Sequence, residues 1–227
     1  MNPKERLGHH VASLIAPGSI IAVGTGSTVD AVVRALGLRI ASEGIAVAVV
    51  PTSWETAELC VANGCTVLSP HAIQGPISWG FDGADEIDPG LRLIKGLGGA
   101  LLREKILALM CNTFTILADQ SKLVERLGER CPVPIEVIPE ARRLVTATVA
   151  ELGATEITLR SALPGKHGPV VTESGNVILD ARFNEISDHL PQQLKAITGV
   201  VEHGIFEKLC SHALIVSSDG SISERRR

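Results

Sequence analysis

The amino-acid sequence predicts an α/β protein: a Rossmann-like, mostly parallel sheet with helices on both faces, plus a small α+β ferredoxin-like domain. Three observations predict it. In the first half, short continuous apolar runs alternate with helical patterns, as in a parallel sheet covered on both sides. Beyond Cys131-Pro132-Val133-Pro134 the order becomes strand, helix, strand, strand, helix, strand, which is the ferredoxin-like succession. A last apolar run, Ala213-Leu214-Ile215-Val216, is left over and is expected to rejoin the first sheet. The larger domain is accordingly placed at 1–130 with 207–227, and the small one at 131–206.

The elements follow in order. Ile20-Ile21-Ala22-Val23 reads as a buried strand and Gly24-Thr25-Gly26-Ser27-Thr28 as the turn after it. A helix follows from about Val29, with Val29, Val32, Val33 and Leu36 on one face. A strand over 46–50 closes on Pro51-Thr52-Ser53, a helix covers 54–63, and a strand 65–68. Further strands are expected at 77–81 and 91–94 around an acidic loop, then a helix over 99–110 and a strand over 113–117. In the small domain the strands fall at 135–138, 156–160, 176–180 and 200–206. Its helices fall at 140–152 and 192–197, the first with Ala141, Leu144, Val145, Thr148, Val149 and Leu152 at helical spacing.

Composition narrows the partners. With 227 residues, 45% hydrophobic and 20% charged, the chain suits a folded domain carrying a smaller companion. A net charge of −4 gives no field that would favour a polyanion, and Arg225-Arg226-Arg227 reads as a frayed tail, so no nucleic-acid partner is expected. The first apolar stretch is interrupted by Pro17 and Gly18, so neither a signal peptide nor a membrane partner is expected. Cys60, Cys65, Cys111, Cys131 and Cys210 include no C-x-x-C pair; they read as idle thiols, which with the rest points to a cytoplasmic setting.

Several segments could carry chemistry. The turn at 24–28 opens a helix, whose N-terminal N–H groups suit an anion, and Ser27 and Thr28 add hydroxyls. A tight turn capped by Ser or Thr is the alternative, and by itself the motif favours a phosphate only slightly. Dinucleotide and P-loop fingerprints both fail, since Val29 stands where a glycine is needed and no Gly-Lys-Ser/Thr follows. Asp82-Gly83-Ala84-Asp85-Glu86-Ile87-Asp88 clusters carboxylates after a strand, where acids face the ligand crevice of an open sheet. Asp82 and Asp85 are the functional candidates there, while Glu86 and Asp88 are expected to face water. No histidine lies beside them to suggest a metal, and all seven histidines read as non-catalytic. Lys95, just before a glycine turn, suits an anion or simply solvent. Glu104 is either a desolvated base on the apolar side of its helix or a surface carboxylate between Arg103 and Lys105. Lys122 divides evenly between a crevice lysine and an exposed one, and Lys4 belongs by default to an amphipathic first helix.

Taken together the motifs resemble type A ribose-5-phosphate isomerase. The resemblance rests on residues 24–28, Asp82 to Glu86, Lys95-Gly96 through Arg103-Glu104-Lys105, and Ala118-Asp119-Gln120-Ser121-Lys122. Residues 132–139 and Gly175-Asn176-Val177-Ile178-Leu179-Asp180 extend it into the small domain. It implies an aldose–ketose isomerase acting on a small-molecule sugar phosphate, working without metal or other cofactor and assembling as a homodimer or homotetramer. It implies Glu104 as base, Asp82 and Asp85 as handlers of hydroxyl protons, and Lys95 as stabiliser of the oxyanion. Thr25, Gly26, Ser27, Thr28, Gly83, Ala84, Gly96, Leu97, Gly98, Lys122 and Lys4 would bind substrate. Leu97 departs from the family pattern, which has consecutive glycines; a φ above zero would strain it, whereas an ordinary φ would cost only room. An amino-sugar-phosphate isomerase/deaminase, a coenzyme A transferase and a non-catalytic sugar-phosphate-binding protein stay open as alternatives.

Overall fold

A computed structural model describes residues 2–227. The chain runs α1 (Pro3–Leu14), β1 (Ile20–Val23), α2 (Ser27–Glu43), β2 (Ala48–Pro51), α3 (Trp54–Ala62) and β3 (Thr66–Val67). It continues with β4 (Ile77–Asp82), β5 (Glu86–Ile87), β6 (Leu93–Ile94), α4 (Leu101–Met110), β7 (Cys111–Asp119) and β8 (Val133–Val137). Then come α5 (Arg142–Glu151), β9 (Ala154–Leu159), β10 (Val177–Phe183), α6 (Leu190–Ala196), β11 (Val200–His203), β12 (Ile205–Phe206), β13 (His212–Val216) and β14 (Ile222–Arg226). Two compact units form: one from residues through Ala84, Arg103–Leu123 and Glu207–Arg227, the other from Asp85–Leu102 and Val124–Phe206. Among the described residues no helix is long and apolar enough to cross a membrane.

The first unit is built on a sheet of order β14-β13-β7-β4-β1-β2-β3, parallel except for β14. Its strands are apolar on both faces because both are covered. Val29, Val32, Val33 and Leu36 of α2 pack with Leu7 and Val11 of α1 on one side, over Ile21, Val23, Phe81 and Leu117. Leu107 of α4 meets Ala22, Val50 and Ile77 on the other. The last apolar run enters this sheet as β13, parallel to β7. Residues Arg225 and Arg226 are not a frayed tail: β14 pairs antiparallel with β13, so the backbone hydrogen bonds of the segment are taken up at the sheet edge.

In the second unit β8, β9, β10 and β11 form an antiparallel sheet of order β11-β8-β10-β9, the ferredoxin-like order, with α5 and α6 packed on Val133, Ile135 and Val137. Val145 and Val149 are buried as the helical spacing requires, while Leu144 is exposed. The expected strand over 200–206 is broken at Gly204, and β12 leaves to pair with β6 in a separate three-stranded sheet with β5. A Cβ on Gly204 would collide with the Lys95 carbonyl and Pro134. Segments 85–102 and 124–130 group here rather than with the parallel sheet. Ile94, Val124 and Leu127 join this unit's core, and Glu86 ties the two segments together.

Glu86 and Asp88 do not face water. Glu86 is fully buried, and its carboxylate accepts the N–H groups of Gly128 (2.6 Å), Arg130 (2.6 Å) and Cys131 (2.7 Å). Asp88 is buried with Arg92 Nε at 2.7 Å and the Gly90 and Arg92 N–H groups at 2.9 Å. Both anchor loops, since a buried carboxylate is tolerable only when donors replace its water. Glu86→Gln would turn an amide NH₂ toward those donors. It is expected to lower stability by about 1.5–3 kcal/mol, read as an earlier urea midpoint; an unchanged midpoint would contradict the anchoring role.

Candidate active site

The parallel sheet reverses its winding at β1: β2 and β3 lie on one side, and β4, β7 and β13 on the other. The crevice outside the carboxyl ends of strands at such a reversal is where open α/β sheets bind ligands. Residues 24–28 follow β1, Asp82 ends β4, and Asp119 to Lys122 follow β7, so three of the segments singled out in the sequence meet at this edge.

Asp82 is fully buried, and its Oδ1 accepts the Thr25 N–H at 3.1 Å and the Gly83 N–H at 2.7 Å. Only glycine fits at 24, because a Cβ there would fall on the Asp82 carboxyl group. Thr25 is held in turn by a hydroxyl cluster. Its Oγ1 lies 2.7 Å from Thr52 Oγ1, 2.9 Å from Ser53 Oγ and 3.1 Å from Thr56 Oγ1, and Thr56 donates to the Gly24 carbonyl at 3.0 Å. In the sequence Pro51-Thr52-Ser53 reads only as the end of a strand. The available signal was a run of hydroxyl residues at the carboxyl end of a buried strand.

Gly26 (φ 115°) is the N-cap of α2, and no side chain caps it. Ser27 instead accepts a hydrogen bond from Lys4 Nζ at 2.8 Å, and Thr28 is buried. Lys4 also stands 4.0 Å from Asp119 Oδ2. Burial of Asp119 would raise its pKa, but hydrogen bonds from Ser121 and the charges of Lys4 and Lys122 hold it below the usual carboxylate value. Lys4 and Lys122, drawn from distant parts of the chain, therefore gather around Asp119, and Lys4 reaches the open end of α2. That is a charge arrangement suited to an anion.

Glu104 is not a surface carboxylate. It lies on the inward stripe of α4 with Leu101, Leu107 and Ala108, and is only 5% exposed. One turn further on, Leu107 is the residue that packs on the sheet.

The second unit holds the remaining candidates. Lys95 is 2% exposed; its N–H donates to the Gly204 carbonyl at 2.9 Å and its Nζ lies 5.7 Å from the centre of the Phe206 ring. A freely solvated lysine is thereby excluded. Asp85 donates its N–H to the Ile94 carbonyl at 2.8 Å, and its Oδ2 accepts the Leu97 N–H at 3.0 Å. The glycine turn takes its left-handed backbone at Gly96 (φ 101°) and Gly99 (φ 86°). Leu97 has an ordinary φ and a side chain that is 41% exposed, so the leucine is unstrained. Gly98 is exposed, and Ala84, which closes the first unit's acidic loop, is half-buried. Arg160, which no motif in the sequence marks, bonds both to Asp180 and to the carbonyls of this turn.

The family model described as "Ribose 5-phosphate isomerase A (phosphoriboisomerase A)" matches residues 48–220. The chain belongs to this family. It is 40% identical over 222 residues to the ribose-5-phosphate isomerase A of Methanothermobacter thermautotrophicus, covering 97% of this chain and 96% of the other. With the Roseiflexus castenholzii enzyme it shares 43% over 224 residues, covering 96% and 93%. The solved ribose 5-phosphate isomerase A of Methanocaldococcus jannaschii superposes with a TM-score of 0.93 at 37% identity, covering 99% and 98%. A D-ribose-5-phosphate isomerase solved in complex with phospho-erythronic acid does so at 0.94 and 35%, with the same coverage.

For a ribose-5-phosphate isomerase A chain, the packing of Asp82 against Gly24 supplies a direct test. Gly24→Ala should push the carboxylate off the Thr25 and Gly83 N–H groups and lower kcat by about 10²-fold, the scale of a displacement near 1 Å. Activity of the folded variant within threefold of the parent would contradict a positional role for Asp82.

Proposed function

We propose that the protein interconverts D-ribose 5-phosphate and D-ribulose 5-phosphate through an enediol(ate), as a step of the pentose phosphate pathway. The observation that carries this reading is the burial of Glu104, a carboxylate on the packed face of α4 where solvent is scarce. A desolvated carboxylate suits proton abstraction from carbon better than a hydrated one. The complex of a related enzyme with phospho-erythronic acid, a carboxylate bearing a phosphate, supports a sugar-phosphate ligand for this chain too.

In the proposed sequence the open-chain aldose presents a C2–H made acidic by the C1 carbonyl. Glu104 takes that proton, leaving an enediolate, and returns it to C1. Asp82 and Asp85 exchange protons with the hydroxyl groups during ring opening and enediol formation. Lys95, a buried lysine, stabilises the negative charge that develops on oxygen. Thr25, Gly26, Ser27, Thr28 and Gly83 contact the substrate, together with Ala84, Gly96, Leu97 and Gly98. Lys4, Lys122 and Ser27, at the open end of α2, receive the phosphate. No metal or nucleotide takes part. A cytoplasmic homodimer or homotetramer belongs to the same reading, and analytical ultracentrifugation would give the subunit number.

Glu104→Gln keeps the shape of the side chain and removes the base. Its kcat for ribose 5-phosphate is expected to fall by about 10²- to 10⁴-fold while KM changes little. Turnover near that of the parent would remove Glu104 from the role. Chelation with EDTA should leave the parent rate unchanged; a loss that zinc or magnesium restores would contradict metal-free chemistry.

A further inference from the structure

Behind the glycine turn of the second unit lies an arginine whose donors serve two different ends. Arg160 Nε reaches Asp180 Oδ2 at 2.8 Å, and its Nη2 reaches Asp180 Oδ1, a fork-to-fork pair. Its Nη1 reaches the carbonyl oxygens of Gly96 at 2.8 Å and Leu97 at 2.9 Å. Both side chains are largely buried, at 12% and 15% exposure, so the pair is shielded from solvent and fixed in orientation.

The consequence follows from the trans peptide, in which C=O and N–H point opposite ways. With the Gly96 carbonyl turned to Arg160, the Leu97 N–H points away from it, and there it meets Asp85 Oδ2 at 3.0 Å. With the Leu97 carbonyl also turned to Arg160, the Gly98 N–H is directed to the side opposite the guanidinium, at an exposed residue. One guanidinium thus sets two successive peptide planes, Gly96–Leu97 and Leu97–Gly98. It also accounts for Leu97: the orientation of the turn is imposed by Arg160, and only Gly96 and Gly99 need a positive φ.

We propose that Arg160, held by Asp180, is a positioning residue for the isomerisation. It aims the Leu97 N–H at Asp85 and the Gly98 N–H at an oxygen of the reacting sugar, so that the turn is ready to receive charge as the enediolate forms. This rests on the isomerase reading above. Donors fixed in advance favour the transition state over the ground state, so their loss should appear in kcat more than in KM.

The test uses the full chain with Arg160→Lys, which keeps the charge but not the fork, and Asp180→Asn, which loosens the fork without altering its shape. Each is assayed for kcat and KM on ribose 5-phosphate, for inhibition by 4-phospho-erythronate, whose planar carboxylate resembles the enediolate oxygens, and for Tm. Arg160→Lys is expected to lose about 10- to 100-fold in kcat with KM within about threefold. Its inhibition constant for 4-phospho-erythronate should rise by a similar factor to the loss in kcat. Asp180→Asn should move both quantities the same way by a smaller factor. Variants that lose Tm while kcat and the inhibition constant stay at parent values would show a purely structural pair and overturn the proposal. Should Arg160→Lys fail to fold, the Asp180→Asn result decides alone. A parent chain without isomerase activity would sink the functional reading instead, which keeps the two failures apart.

Discussion

The contact between the Asp82 carboxylate and the backbone at Gly24 and Thr25 constrains the whole edge of the parallel sheet. It joins the ends of β1 and β4, the two strands flanking the point where the winding reverses. A carboxylate buried this deeply needs donors in place of water, and the Thr25 and Gly83 N–H groups provide them. Thr25 must therefore hold its place, which explains the hydroxyls of Thr52, Ser53 and Thr56 packed around it. The glycine at 24 is a consequence of the same contact, because the acid occupies the space of a side chain there.

The second unit solves a similar problem with different means. Its turn after Lys95 contains glycines, yet its geometry is set as much by Arg160 as by their freedom. Lys95 itself is fixed at the backbone by Gly204, whose missing Cβ lets the two chains meet. In both units a candidate residue meets main-chain groups of a segment distant in the sequence: Asp82 through its carboxylate, Lys95 through its backbone N–H.

Much of this was legible in the sequence. The period of the apolar residues gave the parallel sheet and the ferredoxin-like order, since each depends on local spacing: Val29, Val32, Val33 and Leu36 can share only one face of a helix. Asp82, Lys95 and Lys122 stand out in the sequence because they fall at or just after strand ends, whereas Glu104 and Lys4 lie on helices and are marked only by the resemblance. What was not legible depends on pairs far apart in the chain. Nothing near Glu86 announces that Gly128, Arg130 and Cys131 will cover it, and its acidic neighbours suggested solvent instead. Arg160 looks like any strand-end arginine until Asp180 and the 96–97 carbonyls are brought to it. The short strands β5 and β14 escaped notice for the same reason: their partners, not their composition, make them strands.

The proposed chemistry rests on proton transfer at carbon by a buried carboxylate. Its most direct test follows ribose 5-phosphate through isomerisation in D₂O by NMR. Solvent deuterium is expected to enter C1 of the ribulose 5-phosphate formed, because the proton resides on Glu104 between removal and return. Complete retention of the original C2 hydrogen at C1 in every turnover, together with an undiminished rate in Glu104→Gln, would mean direct transfer between the carbons and would contradict that chemistry.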